Sequence, residues 1–539
     1  MRPKGGETLA SGTVTTFQSS ATDPRPALRT VPPRRFKATL KNTRTSLILF
    51  AWAVLALLLL ASVAYNAYNL PADSLIYPVS VVLTILCAVQ LWSWHRVSGS
   101  LFDPYMMFAV TAMMFNGSRA TLEIFGLNHT KVIGPQFSDQ TTITTLFLVT
   151  LGLWSFHTGG MLGVPERRPV QARRRQIEDS YSDSLRVLGW TLVCIAAVPS
   201  FILLRQAITV VMSSGYMALF QQEAPTSLEA GPQVLAAFLV PGTLLVAAAS
   251  KGKRSQLRMT IALIGLYALV QLFLGCRFAA ASSVVTYVWV WHRCIKPISK
   301  IPTIIGLVSV VVVMPLVQVT RSFVGEDRLS RSALTQAYAS IDNPAVATIS
   351  EAGGTAATVA YTVELVPEFR PYDYGTSYAF GLLTLMPNLF WDLHPAITHG
   401  TPGAWLVQTV DPKQAAQGGG LGYSFIAEAY LNAGWAGVVL VSGALGFAFA
   451  RLATSFCGSG DLAKIACTAA ILAFTLKYAR SDCTEIVRGI VWYAWGPYAF
   501  AKAISRKPGF SALNPRRFFK AGGGVSNRKF VEVARALHQ

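Results

Sequence analysis

Three stretches of this sequence place arginine where a long apolar run ends or turns. LGCRFAAASS carries Arg277, TRSFVGEDRLSR carries Arg321, Arg328 and Arg331 directly after IIGLVSVVVVMPLVQV, and YARSDCTEIVRG carries Arg480 and Arg488. A guanidinium keeps its proton and presents a planar fork that matches two phosphate oxygens, so arginines gathered at one level of a membrane suit a diphosphate. A lipid-linked diphosphate is the expected ligand. The alternative is that each arginine snorkels to lipid headgroups or pairs with Asp482, Glu485, Glu326 or Asp327.

A second group lies in GGGLGYSFIAEAYLNAGWAG, residues 418–437, where glycines permit close backbone approach ahead of Tyr423, Glu428, Tyr430 and Asn432. Glu428 is the candidate general base for deprotonating an acceptor hydroxyl; its other reading is an ion pair with one of the arginines. Tyr423, Trp391, Trp405 and Trp435 are candidates to stack on sugars, each Trp alternatively anchoring at the membrane interface. His394 and His399, in WDLHPAITHG, have no further ligands in a metal-binding pattern, so no metal is expected and His394 is assigned to substrate contact. The sequence has no GxxxxGK[ST] loop and no DxD-like pair, which argues against ATP-driven transport and against a nucleotide-sugar site.

These residues need a membrane scaffold, and the composition supplies one. The chain has 539 residues, of which 52% are hydrophobic and only 13% charged, against roughly a quarter charged in soluble domains. An all-α polytopic bundle of about twelve transmembrane helices is expected, near 46–66, 75–95, 101–118, 141–163, 184–205, 231–250, 257–275, 278–293, 301–320, 433–453, 462–479 and 487–504. The formal charge of +20 comes from basic segments: a tail over 1–45, ERRPVQARRR, KGKRSQLR, HRCIKPISK and a tail over 505–539. With twelve helices all five fall on one side, so the positive-inside rule puts both tails in the cytoplasm and nucleic acid is not an expected partner. The segment 321–432 then becomes a long, acidic outer loop between helices 9 (ending the 46–320 block) and 10 (opening the 433–504 block), too long to be structureless and so expected to hold short helices. The first tail is Ser/Thr/Pro-rich and basic, as a disordered segment is. The seven cysteines, scattered among apolar segments without a regular framework, are expected mostly as small buried hydrophobes.

FDPYMMF, the Gly-x-Arg at 275–277, Arg321, MPNLFWDLHP, GYSFIAEAYLNAGWAG and the late Arg480 together resemble bacterial oligosaccharide repeat-unit polymerases, the Wzy-type polymerases of O-antigen, capsule and exopolysaccharide. The resemblance covers about residues 46–505. It implies a bundle like that of C-type glycosyltransferases, with a large outer loop, acting without cofactor or metal on undecaprenyl-diphosphate-linked oligosaccharides at the periplasmic face of the inner membrane. It further implies chain-length regulator and flippase proteins as neighbours. On that reading Glu428, Arg277, Arg321 and Arg480 are catalytic, and Arg328, Arg331, Arg488, Tyr423, Tyr430, Trp391 and His394 bind substrate. The related O-antigen ligases share the layout and stay as the alternative enzyme. A flippase or polysaccharide transporter is the non-enzymatic alternative, disfavoured because the ionisable groups gather at one face and one loop is very long.

Overall fold

The computed structural model describes residues 71–165, 179–221, 230–299, 313–386 except 322 and 329, 391 and 394–506, with parts of 48–61 and residue 306. All regular structure among them is helical. In chain order the principal helices are α1 (Ala72–Ser98), α2 (Pro104–Asn116), α3 (Ser118–Ile124), α4 (Asp139–Gly163), α5 (Asp179–Ser214), α6 (Ala230–Ala236), α7 (Leu239–Ala249), α8 (Arg254–Leu274) and α9 (Arg277–Val290). There follow α10 (Arg331–Ala339), α11 (Pro344–Gly353), α12 (Ala356–Leu365), α13 (Thr376–Leu383), α14 (Pro395–His399), α15 (Pro402–Val410), α16 (Pro412–Ala416), α17 (Phe425–Arg451), α18 (Leu462–Thr475), α19 (Thr484–Arg488) and α20 (Gly496–Arg506).

Among the described residues, seven helical stretches are long and apolar enough to cross a bilayer: Asp73–Ser98, Asp139–Gly163, Ser182–Ser214, Ala230–Ala249, Arg254–Leu274, Phe425–Phe456 and Leu462–Arg480. Each coincides with one of the twelve expected spans, and the protein is a multi-pass membrane protein. Three other expected spans are shorter or broken here. The helix within 101–118 has 13 residues, 278–293 ends in a π-helical turn (Trp291–Ile295), and 487–504 is divided by another (Gly489–Trp495). The expected spans 46–66 and 301–320, like both basic tails, lie largely outside the described residues.

The centre of the bundle is α4, buried on nearly every face, as expected of a helix apolar all round. It packs against α17 with almost no space between backbones. A Cβ on Gly159 would strike the carbonyl of Gly443, and one on Gly446 would strike that of Phe156. Small residues at such crossings are what lets two membrane helices gain dispersion contact where no hydrophobic drive exists. A buried polar set ties α1 and α2 to the same helix: His157 hydrogen-bonds Ser93 at 2.8 Å and Tyr105 at 3.0 Å, and Gln90 reaches the Tyr105 hydroxyl.

The long segment after residue 321 is built from short helices, and the sequence shows why four of them start where they do. Asn343–Pro344, His394–Pro395, Thr401–Pro402 and Asp411–Pro412 each pair a side chain that caps free backbone N–H groups with a proline pre-set for the first turn. Asp103–Pro104 does the same for α2, where the proline opens the helix.

Candidate functional site

Arg277, Arg321 and Arg480 converge. Arg277 opens α9 after the turn at Gly275, whose positive φ of 88° suits glycine, and chelates Glu351 of α11 with both terminal nitrogens. Arg321 points its Nε and Nη2 at the Gly275 carbonyl, at 3.0 and 2.6 Å, with its guanidinium carbon 4.4 Å from the centre of the Tyr216 ring. Arg480 ends the turn after α18 and rests on Phe115 at 5.3 Å. Its guanidinium makes no ion pair or hydrogen bond among the described residues, although its own carbonyl holds the Tyr423 N–H at 2.9 Å. Each of the three lies within electrostatic reach of the other two. Burial, then the charge of Arg277, pull the Arg321 pKa down from its ordinary value, and Tyr216 and Glu351 act against this.

Among the described residues, three guanidiniums thus face one carboxylate, which leaves the arrangement with an excess of positive charge. That carboxylate is Glu351, not one of the partners offered by the sequence: Glu485 pairs with Lys477, while Asp482 accepts from Thr484 and from the Gly403 N–H. Arg328 backs the cluster from a 3-10 turn, Gly325–Arg328, fully enclosed and held by the Phe273 carbonyl through Nε at 3.1 Å and Nη2 at 2.5 Å. Arg331 does not join it. Ser330 is extended and caps α10, and Arg331 stands exposed as the first residue of that helix.

Glu428 is enclosed, at 0% accessible. The reason is that α17 is two helices in series. Ala433 and Gly434 leave helical geometry, with Gly434 at φ 57°, so the segment carrying Glu428 stops short and packs inside. Its last carbonyls are not orphaned: Leu431 and Asn432 accept from the N–H groups of Asp373 and Tyr374, at 2.9 and 3.0 Å. The Glu428 carboxylate receives the Ser377 hydroxyl at 3.0 Å, the Tyr478 hydroxyl at 3.2 Å and the Cys483 N–H at 3.0 Å. No arginine touches it among the described residues, so its carboxyl group is held by hydrogen-bond donors alone.

The remaining candidates are mostly structural in geometry. Tyr423 is buried with its hydroxyl 3.1 Å from Thr362, and Tyr430 packs edge-on against Tyr372. His394 caps α14, its Nδ1 accepting from Ala396 and its Nε2 3.2 Å from the Met386 carbonyl, which occupies both ring nitrogens. Trp391 packs on His394, and Arg488 donates to the Thr384 carbonyl at 2.7 Å. Arg370 went unnoticed in the sequence because it is one cation in an acidic loop. In the fold it is doubly bonded to Asp373, lies 4.4 Å from the Trp405 ring and lines a pocket of about 360 Å³ together with Ser377, His399, Gln408 and Thr484.

A family model described as O-antigen polysaccharide polymerase Wzy matches residues 47–506. No curated protein and no solved structure matches the chain.

Proposed function

The chain belongs to the O-antigen polysaccharide polymerase Wzy family, and from that premise we propose that it transfers a growing glycan from one lipid diphosphate to the sugar hydroxyl of another lipid-linked repeat unit. The lipid is undecaprenyl diphosphate, and the reaction takes place on the periplasmic face of the inner membrane, with both chain termini in the cytoplasm. Chain-length regulator and flippase proteins are its expected neighbours. The observation that carries the reading is the meeting of Arg277, Arg321 and Arg480 around Glu351, with the Arg480 guanidinium making no ion pair or hydrogen bond among the described residues.

In the reaction the acceptor oxygen bonds to the anomeric carbon as the bond from that carbon to the diphosphate breaks. Negative charge grows on the departing diphosphate, so donors fixed in advance around it lower the barrier without reorganising. Arg480 supplies free donors, Arg277 adds a charge held in place by Glu351, and Arg321 adds a charge held by the Gly275 carbonyl. Glu428 is the base. Being enclosed, it takes the proton through one of the groups bonded to it, and Ser377 is the one that also lines a pocket.

The test is the surface polysaccharide of a deletion strain, resolved on a gel. Single-repeat products in place of a ladder are expected; loss of every repeat down to bare core would instead identify a ligase.

A further inference from the structure

The polymerase reading assigns the arginine cluster to the donor diphosphate and leaves the acceptor without a place. We propose that the pocket lined by Arg370, Asp373, His399, Trp405 and Gln408 is the acceptor-sugar subsite, with Ser377 relaying the acceptor's proton to Glu428. This proposal rests on the polymerase reading of the same site.

The pocket's size, about 360 Å³, falls in the range of roughly 300–1,000 Å³ typical of small-molecule sites. Its charges cancel. Arg370 is bound to both oxygens of Asp373, at 2.8 and 2.9 Å, so the wall offers directional donors and acceptors without net positive charge. That suits sugar hydroxyls and does not favour a diphosphate, the reverse of the arginine cluster. Its aromatic surfaces are organised as well: the Arg370 guanidinium covers the Trp405 ring, and the His399 ring lies flat on Phe380, 4.0 Å away at 8° between planes. Both Trp405 and Phe380 remain partly exposed, while His399 and Gln408 are exposed at the rim.

Two links join this pocket to the proposed chemistry. Ser377 lines it and donates to Glu428 Oε1 at 3.0 Å, while accepting from Asn432 Nδ2 at 2.8 Å. The second link is a shared layer of backbone. Gly403, between the lining residues Pro402 and Ala404, packs against Gly422 and Tyr423, and these two residues also contact Arg480. A sugar in the pocket and a diphosphate at the cluster are therefore separated by little more than Gly422–Tyr423. In the transfer, the acceptor hydroxyl proton passes to Ser377 Oγ as the proton of Ser377 passes to Glu428 Oε1. The acceptor oxygen gains its bond to the anomeric carbon, Glu428 ends neutral, and the released lipid diphosphate carries one more negative charge.

The experiment uses the full-length protein in nanodiscs and two probes: oligosaccharides of one and two repeats cut from the producing strain's polysaccharide, and inorganic pyrophosphate. Trp405→Ala, Gln408→Ala and the rim substitution His399→Gln are each expected to weaken glycan binding about tenfold while pyrophosphate binding holds. Arg480→Ala is expected to do the converse. Ser377→Ala should lower kcat far more than it raises KM for the acceptor, which a merely structural serine would not do. Unchanged glycan binding in all three pocket variants, with pyrophosphate binding lost in Arg480→Ala, overturns the subsite and leaves the polymerase reading standing. Pyrophosphate binding indifferent to Arg480→Ala overturns that reading itself.

Discussion

Arg480 separates binding from folding more cleanly than any other residue of the cluster. Arg277 and Arg321 are also struts: one chelates Glu351 and the other holds the Gly275 carbonyl with two nitrogens. Removing either leaves a polar partner unmet, at about 1–3 kcal/mol of stability. Besides its share in the field of Glu351, the Arg480 guanidinium gives up its contact with Phe115 at 5.3 Å, roughly 0.5–1 kcal/mol. None of its five donors is bonded to protein among the described residues. Each charge-assisted bond to the leaving diphosphate is worth roughly 1.5–3 kcal/mol, or about one to two powers of ten in rate. Arg480→Ala is thus expected to lower the polymerisation rate about 10- to 100-fold at near wild-type abundance, and Arg480→Lys, which keeps the charge but loses the fork, to fall between. Arg321→Ala should lose activity and abundance together. The assay is polysaccharide chain length in a complemented deletion strain, with immunoblots for protein, and Arg254→Lys as a control away from the cluster. Wild-type polymer from both Arg480 variants at matched abundance would refute the clamp and return this arginine to a lipid-anchoring role.

Exchanging the pair, Arg277→Glu with Glu351→Arg, should restore the abundance lost in Arg277→Glu alone but not polymerisation, because the cation then stands on α11; recovery of polymer would show that only the ion pair matters. Glu428→Gln should stay near normal abundance, since the Ser377 and Tyr478 hydroxyls can turn to meet an amide, and should lose on the order of a hundredfold in rate. Glu428→Ala orphans three donors at roughly 1–3 kcal/mol each and should fall in abundance, whereas Glu364→Gln, where the carboxylate meets only Thr141 at the surface, should do neither. Gly446→Leu forces a side chain into the carbonyl of Phe156 and should remove the protein from the membrane fraction, and normal levels would show that α4 and α17 are packed otherwise.

What the sequence made legible was whatever depends on local composition. Twenty apolar residues are a span wherever they occur, so α1, α4, α5, α8 and α18 are visible by eye, and an arginine ending such a run is placed by the run. Residues positioned by distant parts of the chain were not legible. Glu428 looks like an edge residue because its helix continues into lipid-crossing sequence, and only the break at Ala433–Gly434, stabilised by the loop at Asp373–Tyr374, turns it inward. A sequence signal for that break exists in the Asn-Ala-Gly of residues 432–434. His394 was read as a substrate contact, although the residue before a proline that opens a helix is often a cap. The pocket at Arg370 and Trp405 joins residues 35 apart through two short helices, and no periodicity marks it.

The most direct test of the central claim is reconstituted transfer. Purified protein in nanodiscs is given the lipid-diphosphate-linked repeat unit in buffer containing EDTA, and glycan length and released lipid diphosphate are followed together. The account predicts a ladder of products with one lipid diphosphate released for each new glycosidic bond, undiminished by the chelator because guanidiniums carry the leaving-group charge. Repeat units that remain single while the protein is folded, or a ladder that disappears with EDTA, would contradict it.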